Sequence, residues 1–255
     1  MNLLFDPEDL IQPENHATRI PVVLCLDNSG SMTKGDNAGI DSLNKGVQAF
    51  FDTCKSDAIN RYGFDVAIVT FGIQGVQKVQ DFRPLWDQER IPVIECIQQG
   101  ENCGTPLGRG IDLAMQGLQQ RKKEYQEHGI GYKQPWLVII SDGRPTDSQM
   151  PEYRSVKRQV IEMQRAKKLS VIAIGVGEAR DFEELASFVI DGKVLTSTDF
   201  SQLDLVFEFL SQSISTHSEL HAIADESIES PLSMLAEELE EEGVSISIED
   251  FGRDE

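Results

Sequence analysis

Short apolar runs alternate with longer amphipathic stretches along most of this 255-residue chain. Runs rich in β-branched and aromatic residues predict strands over residues 21–26, 64–71, 76–82, 136–140, 170–176 and 193–196. Apolar residues at helical spacing predict helices within residues 41–59, 105–127, 153–168, 181–188 and 200–215. The sequence therefore indicates strands and helices in alternation.

The order of these elements indicates an α/β fold. Strand–helix–strand units imply right-handed crossovers and a largely parallel sheet that helices cover on both faces. The runs at 21–26, 136–140 and 170–176 are nearly all apolar, as expected of central strands. The run at 76–82 follows a Gly-containing turn, which predicts a hairpin and an antiparallel edge strand. We therefore predict a doubly wound, mostly parallel, Rossmann-like six-stranded sheet with helices on both faces and one antiparallel edge strand.

The chain divides into a polar lead-in (1–19), one domain (20–216) and a C-terminal segment (217–255) with thirteen acidic residues and one basic residue. The whole chain has a formal net charge of −20. This charge disfavours nucleic acid and anionic membranes as partners, because both bind clustered cations. No run approaches the roughly 20 apolar residues that span a bilayer, and the first residues lack the basic region of a signal peptide. We therefore predict a cytoplasmic protein.

The acidic C-terminal segment permits two interpretations. Leu232, Leu235 and Leu239 recur at near-helical spacing, and Ile246 and Ile248 alternate with polar residues. High charge and low apolar content predict a disordered, solubilising tail. The leucine pattern instead predicts a partner-docking segment that folds or adds a strand on binding.

Small oxygen-bearing side chains follow two of the predicted central strands. Asp27, Ser29 and Ser31 follow the first strand, and Asp142 follows the strand at 136–140. In doubly wound sheets, ligands bind beyond the carboxyl ends of strands where the strand order reverses. Thr105 adds a hydroxyl at a predicted helix start. Mg²⁺ and Mn²⁺ prefer such oxygen ligands; alternatively, Asp27 and the serines only cap backbone amides.

These motifs resemble those of von Willebrand factor A-type domains, whose metal-ion-dependent adhesion site uses Asp-x-Ser-x-Ser, a Thr and an Asp. The resemblance covers residues 19–216. It implies that Ser29 and Ser31 contact Mg²⁺ or Mn²⁺ directly, and that Asp27 and Asp142 act largely through waters and hydrogen bonds. Thr105 would be a direct ligand in one state of the site. A partner protein would complete the site with an Asp or Glu carboxylate.

Within that family, three segments look most similar to bacterial tellurium-resistance-type proteins. They read Leu-Asp-x-Ser-Gly-Ser-Met, Cys-Gly-Thr-Pro-Leu and Ser-Asp-Gly-Arg-Pro-Thr-Asp. The resemblance implies a stress-response role and partners such as a serine/threonine kinase-like protein and a PP2C-type phosphatase.

The main alternative is a metal-dependent phosphatase or hydrolase that uses the strand-end aspartates. The haloacid-dehalogenase pattern requires a second Asp at the position of Ser29, and the serine-hydrolase pattern Gly-x-Ser-x-Gly is missing here. His217 and His221 lack the Glu spacing of zinc proteases, and the four cysteines lack zinc-type spacing. Gly175 and Gly177 lack the third glycine of a dinucleotide-binding loop. We therefore predict a non-catalytic protein-interaction module.

Overall fold

A single sheet of seven strands forms the centre of the protein in the computed structural model. The structure describes residues 18–33, 38–72, 74–95, 104–177, 182–197, 200–220, 231–242, 244 and 246–252. The strands are β1 (Ile20–Asn28), β2 (Phe64–Gly72), β3 (Gly75–Pro84), β4 (Trp136–Ser141), β5 (Ser170–Val176), β6 (Lys193–Ser197) and β7 (Ser247–Asp250).

The strands lie in the order β3-β2-β1-β4-β5-β6-β7. Neighbours from β2 to β6 run parallel, and β3 and β7 pair antiparallel at the two edges. The strand order reverses between β1 and β4, where Leu26 pairs with Ile140. The residues that follow these two therefore leave the sheet side by side.

Helices cover both faces of the sheet. They are α1 (Ala38–Ser56), α2 (Ala58–Gly63), α3 (Leu107–Glu127), α4 (Pro151–Arg165), α5 (Glu183–Ala186), α6 (Leu203–Leu220) and α7 (Pro231–Glu241). No helix in the described part of the chain is long and apolar enough to cross a membrane.

Alternate side chains of β1 enter two separate cores, because successive residues of a strand point to opposite faces. Val22 and Leu24 belong to the core that also contains apolar residues of α1, α6 and α7. Val23 and Cys25 belong to the other core, with apolar residues of α3 and α4. All four side chains are buried, so β1 is an interior strand with a core on each face.

The observed architecture confirms the predicted doubly wound α/β fold, with β3 as an antiparallel edge. Several boundaries differ. The helix predicted over 41–59 spans Ala38–Ser56 and a separate short helix follows, the helix predicted over 181–188 is limited to Glu183–Ala186, and the last predicted helix continues to Leu220. The sheet also has seven strands where the sequence predicted six. The seventh, β7, comes from the segment that we expected to be a tail outside the domain.

This C-terminal segment packs on the domain because its apolar residues fall on one side of a helix. Leu232, Leu235 and Leu239 of α7 are buried in the first core, together with Val244. β7 then pairs with β6, with Ile248 opposite Leu195. The acidic side chains do not prevent this packing, because residues 240–242 remain exposed. The described part of the segment is therefore ordered structure on the domain.

An ion-pair cluster that the sequence did not predict lies at the amino end of β2. The Asp65 carboxylate accepts hydrogen bonds from Arg121 (Nη2 to Oδ2, 2.7 Å) and from the Tyr125 hydroxyl. Arg19 lies 3.9 Å from its other oxygen and donates to the Tyr62 carbonyl oxygen at 2.6 Å. Asp65 is fully buried, so this cluster joins β2 to α3 inside the domain.

Replacing Leu235 tests whether α7 belongs to the folded domain. Leu235→Ala is expected to lower the free energy of unfolding by about 2–5 kcal/mol, because a buried leucine side chain is lost. Glu240→Ala, exposed on the same helix, is expected to change it by no more than about 0.5 kcal/mol. Urea unfolding measures both values, and equal effects would contradict the packing of α7.

Replacing Asp65 tests the buried cluster. Asp65→Ala is expected to cost about 3–5 kcal/mol, because two buried arginines lose their shared carboxylate. Asp81→Ala removes an exposed ion pair with Lys78 (2.6 Å) and is expected to cost about 0–1 kcal/mol. Guanidinium unfolding separates the two variants, and a loss at Asp65 as small as that at Asp81 would refute the role of the cluster.

Candidate metal centre

Asp27 connects the carboxyl end of β1 to that of β4. Its Oδ1 accepts a hydrogen bond from the Ser29 backbone N–H at 2.8 Å, and its Oδ2 accepts one from the Ser141 hydroxyl at 2.6 Å. The side chain is fully buried. Both oxygens are therefore held in place by groups from two neighbouring strand ends.

Ser29, Ser31 and Asp142 form a chain of oxygens across the same two strand ends. The hydroxyl oxygens of Ser29 and Ser31 lie 2.8 Å apart. The Ser31 hydroxyl donates to Oδ1 of Asp142 at 2.7 Å, although the two residues are 111 positions apart in sequence. Four of the five predicted ligands, including Asp27, thus come together at this edge of the sheet.

Thr105 reaches this region through its backbone. Its carbonyl oxygen accepts from the Thr146 N–H at 2.9 Å, which fastens the loop before α3 to the loop after β4. The residue is buried. Among the hydrogen bonds of the described residues, none joins the Thr105 hydroxyl to the other four predicted ligands. The structure therefore places its loop beside the site without joining its hydroxyl to the oxygen chain.

The two carboxylates of the site repel each other. Burial, together with the negative charge of Asp142, raises the pKa of Asp27 to about 6, despite the opposing hydrogen bonds from Ser141 and Ser29. A cation beside both groups would offset this repulsion.

The donor set suits a hard cation. Hydroxyl and carboxylate oxygens are the ligands that Mg²⁺ and Mn²⁺ prefer. In the part of the chain that the structure describes, no three His, Cys, Asp or Glu side chains form a metal-binding group. A site here therefore depends on serine hydroxyls as well as on carboxylates. The side chain of His217 and the whole of His221 lie outside the described residues.

Three supporting residues were missed in the sequence. Ser141 holds Asp27, and Asn28 donates to the Glu95 carbonyl oxygen at 3.0 Å. Asp147 accepts from the first N–H groups of α3, at Gly108 (3.2 Å) and Arg109 (3.0 Å). Ser141 and Asp147 lie in the same segment as Asp142, but their partners are 38 or more residues away. Only the strand order brings those partners close.

Neutralising Asp27 is expected to stabilise the metal-free protein. The folded-state pKa of about 6 lies above the ordinary aspartate pKa of 3.8, so the fold binds this proton more tightly than the unfolded chain does. The resulting stability is present below about pH 4 and is lost as the pH rises through about 6. Asp27→Asn should therefore raise the free energy of unfolding near pH 7 by on the order of 2 kcal/mol.

The measurement is thermal and urea unfolding with EDTA over a range of pH. Asp87→Asn, at an exposed position outside the site, is the matched control and should change the free energy of unfolding near pH 7 by no more than about 0.5 kcal/mol. A less stable Asp27→Asn variant near pH 7 would show that the buried carboxylate contributes favourably to the metal-free fold.

The fold is shared with several solved structures. Proximal thread matrix protein 1 from the mussel byssus is 20% identical, with a TM-score of 0.53, and the match covers 79% of this chain. This chain spans about half of the mussel protein, 49% of its length. A further structure of that protein, 21% identical with a TM-score of 0.51 over 79% of this chain and 49% of the other, is described as having a zinc-occupied MIDAS motif.

Shorter neighbours match almost completely. The von Willebrand factor domain of the type V pili tip protein from Porphyromonas gingivalis is 10% identical, with a TM-score of 0.52 over 84% of this chain and 99% of the other. At these identities the likeness concerns the fold alone. No curated protein sequence shows a significant match. The family model for the von Willebrand factor type A domain matches residues 22–209, and the chain therefore belongs to that family.

Proposed function

We propose that this domain binds a protein partner through Mg²⁺ or Mn²⁺ held by Asp27, Ser29, Ser31, Thr105 and Asp142. One observation carries the proposal: hydroxyl and carboxylate oxygens from the ends of β1 and β4 form a continuous chain, with 2.8 Å and 2.7 Å between neighbours. Protein interaction is the known role of the family. This proposal adds that the metal bridges the domain to a carboxylate of the partner.

Each of the five residues has its own role in this proposal, and Thr105 is a direct ligand in one state of the site. Ser29 and Ser31 are the direct ligands, and they are neutral. Asp27 acts through water and hydrogen bonds, because both of its oxygens already accept from Ser29 and Ser141. Asp142 holds the Ser31 hydroxyl in place. When bound, the cation would offer an open coordination position to an Asp or Glu of the partner.

The same hydrogen bonds favour binding over catalysis. A phosphatase of the haloacid-dehalogenase type needs a strand-end Asp that is free to attack and a second carboxyl group as acid. Asp27 is fully buried, with a hydrogen bond on each oxygen. Ser29 stands where the second carboxyl group would be. We therefore propose a non-catalytic module.

We extend this proposal to a cellular role and to classes of partner. Resemblance to bacterial tellurium-resistance-type proteins supports a cytoplasmic scaffold for a stress-response system. Its partners would be a serine/threonine kinase-like protein and a PP2C-type phosphatase. The zinc-occupied MIDAS motif of the mussel protein supports a metal at this site, and the all-oxygen donor set favours Mg²⁺ or Mn²⁺.

Metal binding is tested by titrating Mn²⁺ into the full chain and measuring heat and the electron paramagnetic resonance of free Mn²⁺. Ser29→Ala is expected to weaken Mn²⁺ binding at least about tenfold, since losses of that size follow even from mutating groups behind the ligands. Ser155→Ala, exposed on α4, removes an equal hydroxyl and should have no effect. Equal affinity in Ser29→Ala and the wild type would reject Ser29 as a ligand.

Partner binding is tested with a short glycine-rich peptide that carries one Asp. In Mg²⁺ the peptide should shift amide resonances of the β1 and β4 strand ends, and EDTA should remove the shifts. The matched Asn peptide should cause none. Shifts that persist in EDTA would contradict a bridge through the metal, and measurable phosphatase turnover abolished by Asp27→Ala would favour the enzyme.

A further inference from the structure

A groove of about 240 Å³ lies beside the candidate metal centre. The turn between β2 and β3, the first turn of α3 and the loop after β4 bound it. Gly72, Gly75, Gly104, Arg109, Thr146 and Met150 line it. No predicted metal ligand is among the lining residues, so the groove is separate from the oxygen chain.

The groove nevertheless touches the supports of the metal centre. A Cβ atom on Gly72 would lie only 2.5 Å from the Asn28 side-chain oxygen, so this wall packs directly on the Asp27–Ser31 motif. Gly104 precedes Thr105, whose carbonyl oxygen holds the Thr146 backbone. The groove therefore adjoins residues that support the candidate metal centre.

Gly75 leaves open space on one side of the groove. It has a φ of +82°, which side chains rarely adopt, and a Cβ atom there would meet no atom of a described residue within 4 Å. The turn that joins β2 and β3 thus leaves space where another residue would project a side chain. That space is available to a side chain of a bound segment.

The groove is lined by one negative and one positive side chain. The Asp147 carboxylate is buried, and each of its oxygens accepts a backbone N–H of α3. Arg109 is exposed and forms no ion pair with any residue that the structure describes. Its backbone N–H is fixed by Asp147 at 3.0 Å, so the base of the side chain is held while the guanidinium faces solvent.

Charge and apolar surface together indicate the kind of ligand. Arg109 forms no ion pair with any described residue, so its guanidinium can attract an acidic group even though the chain has a net charge of −20. The guanidinium fork matches a carboxylate in two parallel hydrogen bonds. Met150 is 48% exposed and offers a flexible apolar contact of the kind methionines make at binding surfaces.

We infer that the groove is a second recognition point for an acidic segment of the partner, with Arg109 as its specificity-determining residue. The segment gives one carboxylate to the metal centre and a second carboxylate to Arg109, and the aliphatic stem of the second residue lies on Met150. This inference rests on the proposed function for its first contact. The second contact, between a carboxylate and Arg109, is argued from the groove alone.

The test uses the full chain in Mg²⁺ and a set of glycine-rich peptides. Each peptide has one Asp and a Glu at successive positions after it, and its matched control has Gln in place of Glu. Calorimetry or resonance shifts give the affinity ratio of each pair. At one spacing, the Glu peptide is expected to bind about tenfold tighter than the Gln peptide, the gain typical of one charge-assisted contact.

Arg109→Gln is expected to reduce that ratio to about one, without changing Mn²⁺ affinity or the binding of the single-Asp peptide. Arg158→Gln, exposed on α4 and outside the groove, removes the same charge and should leave the ratio intact. A ratio near one at every spacing, or a gain that survives in Arg109→Gln, would overturn the inference.

Different results would contradict the metal bridge and the groove. If the single-Asp peptide binds equally in Mg²⁺ and EDTA, the metal bridge is wrong. A Glu-over-Gln ratio that still depends on Arg109 would then support the groove alone. If the single-Asp peptide binds only with Mg²⁺ and no Glu adds affinity, the proposed function stands and the groove does not contribute.

Discussion

The hydrogen-bonded pairing of β1 with β4 is the constraint on which the candidate site depends. Leu26 pairs with Ile140, so Asp27 and Ser141 leave the sheet at the same level. A separation of 114 residues in sequence thereby becomes a hydrogen bond of 2.6 Å. Shifting this register by one residue would send every β1 side chain to the opposite core. The buried, alternating side chains of β1 thus fix the oxygens of the site.

The buried carboxylates at the two ends of the strands, Asp65 and Asp27, have different electrostatic surroundings. Asp65 is surrounded by Arg19, Arg121 and a tyrosine hydroxyl, so its charge is matched inside the protein. Asp27 faces a second carboxylate and receives only neutral donors from Ser29 and Ser141. The charge of Asp65 is thus offset by two arginines, whereas the hydrogen bonds of Asp27 leave the repulsion from Asp142 in place. A cation bound beside Asp27 and Asp142 would reduce that repulsion.

Sequence patterns sufficed for the parts of the fold that local chemistry determines. The apolar runs of β1, β4 and β5 predicted central strands, and the motifs at the strand ends predicted that Asp27, Ser31 and Asp142 would lie close together, as their hydrogen-bonded oxygens do. The acidic composition of residues 217–255 favoured a tail outside the domain. The leucine spacing of α7 instead marks the side of the helix that packs, because a helix can bury one side and expose its charges on the other. Ser141 and Asp147 were missed because their partners are distant in sequence. The position of the Thr105 hydroxyl depends on loop packing, which residue spacing does not encode.

The antiparallel pairing of β7 with β6 also bears on synthesis of the protein. Without β7, the backbone N–H and C=O groups along the outer side of β6 have no strand partner, and such an edge invites pairing with another chain. β7 lies at residues 247–250, about fifty positions after β6. A ribosome therefore exposes β6 before β7 can pair with it, and the nascent domain presents an unpaired strand edge until residues 247–250 emerge. The acidic residues between the two strands give the emerging chain a negative charge during that interval, which favours solubility over premature association.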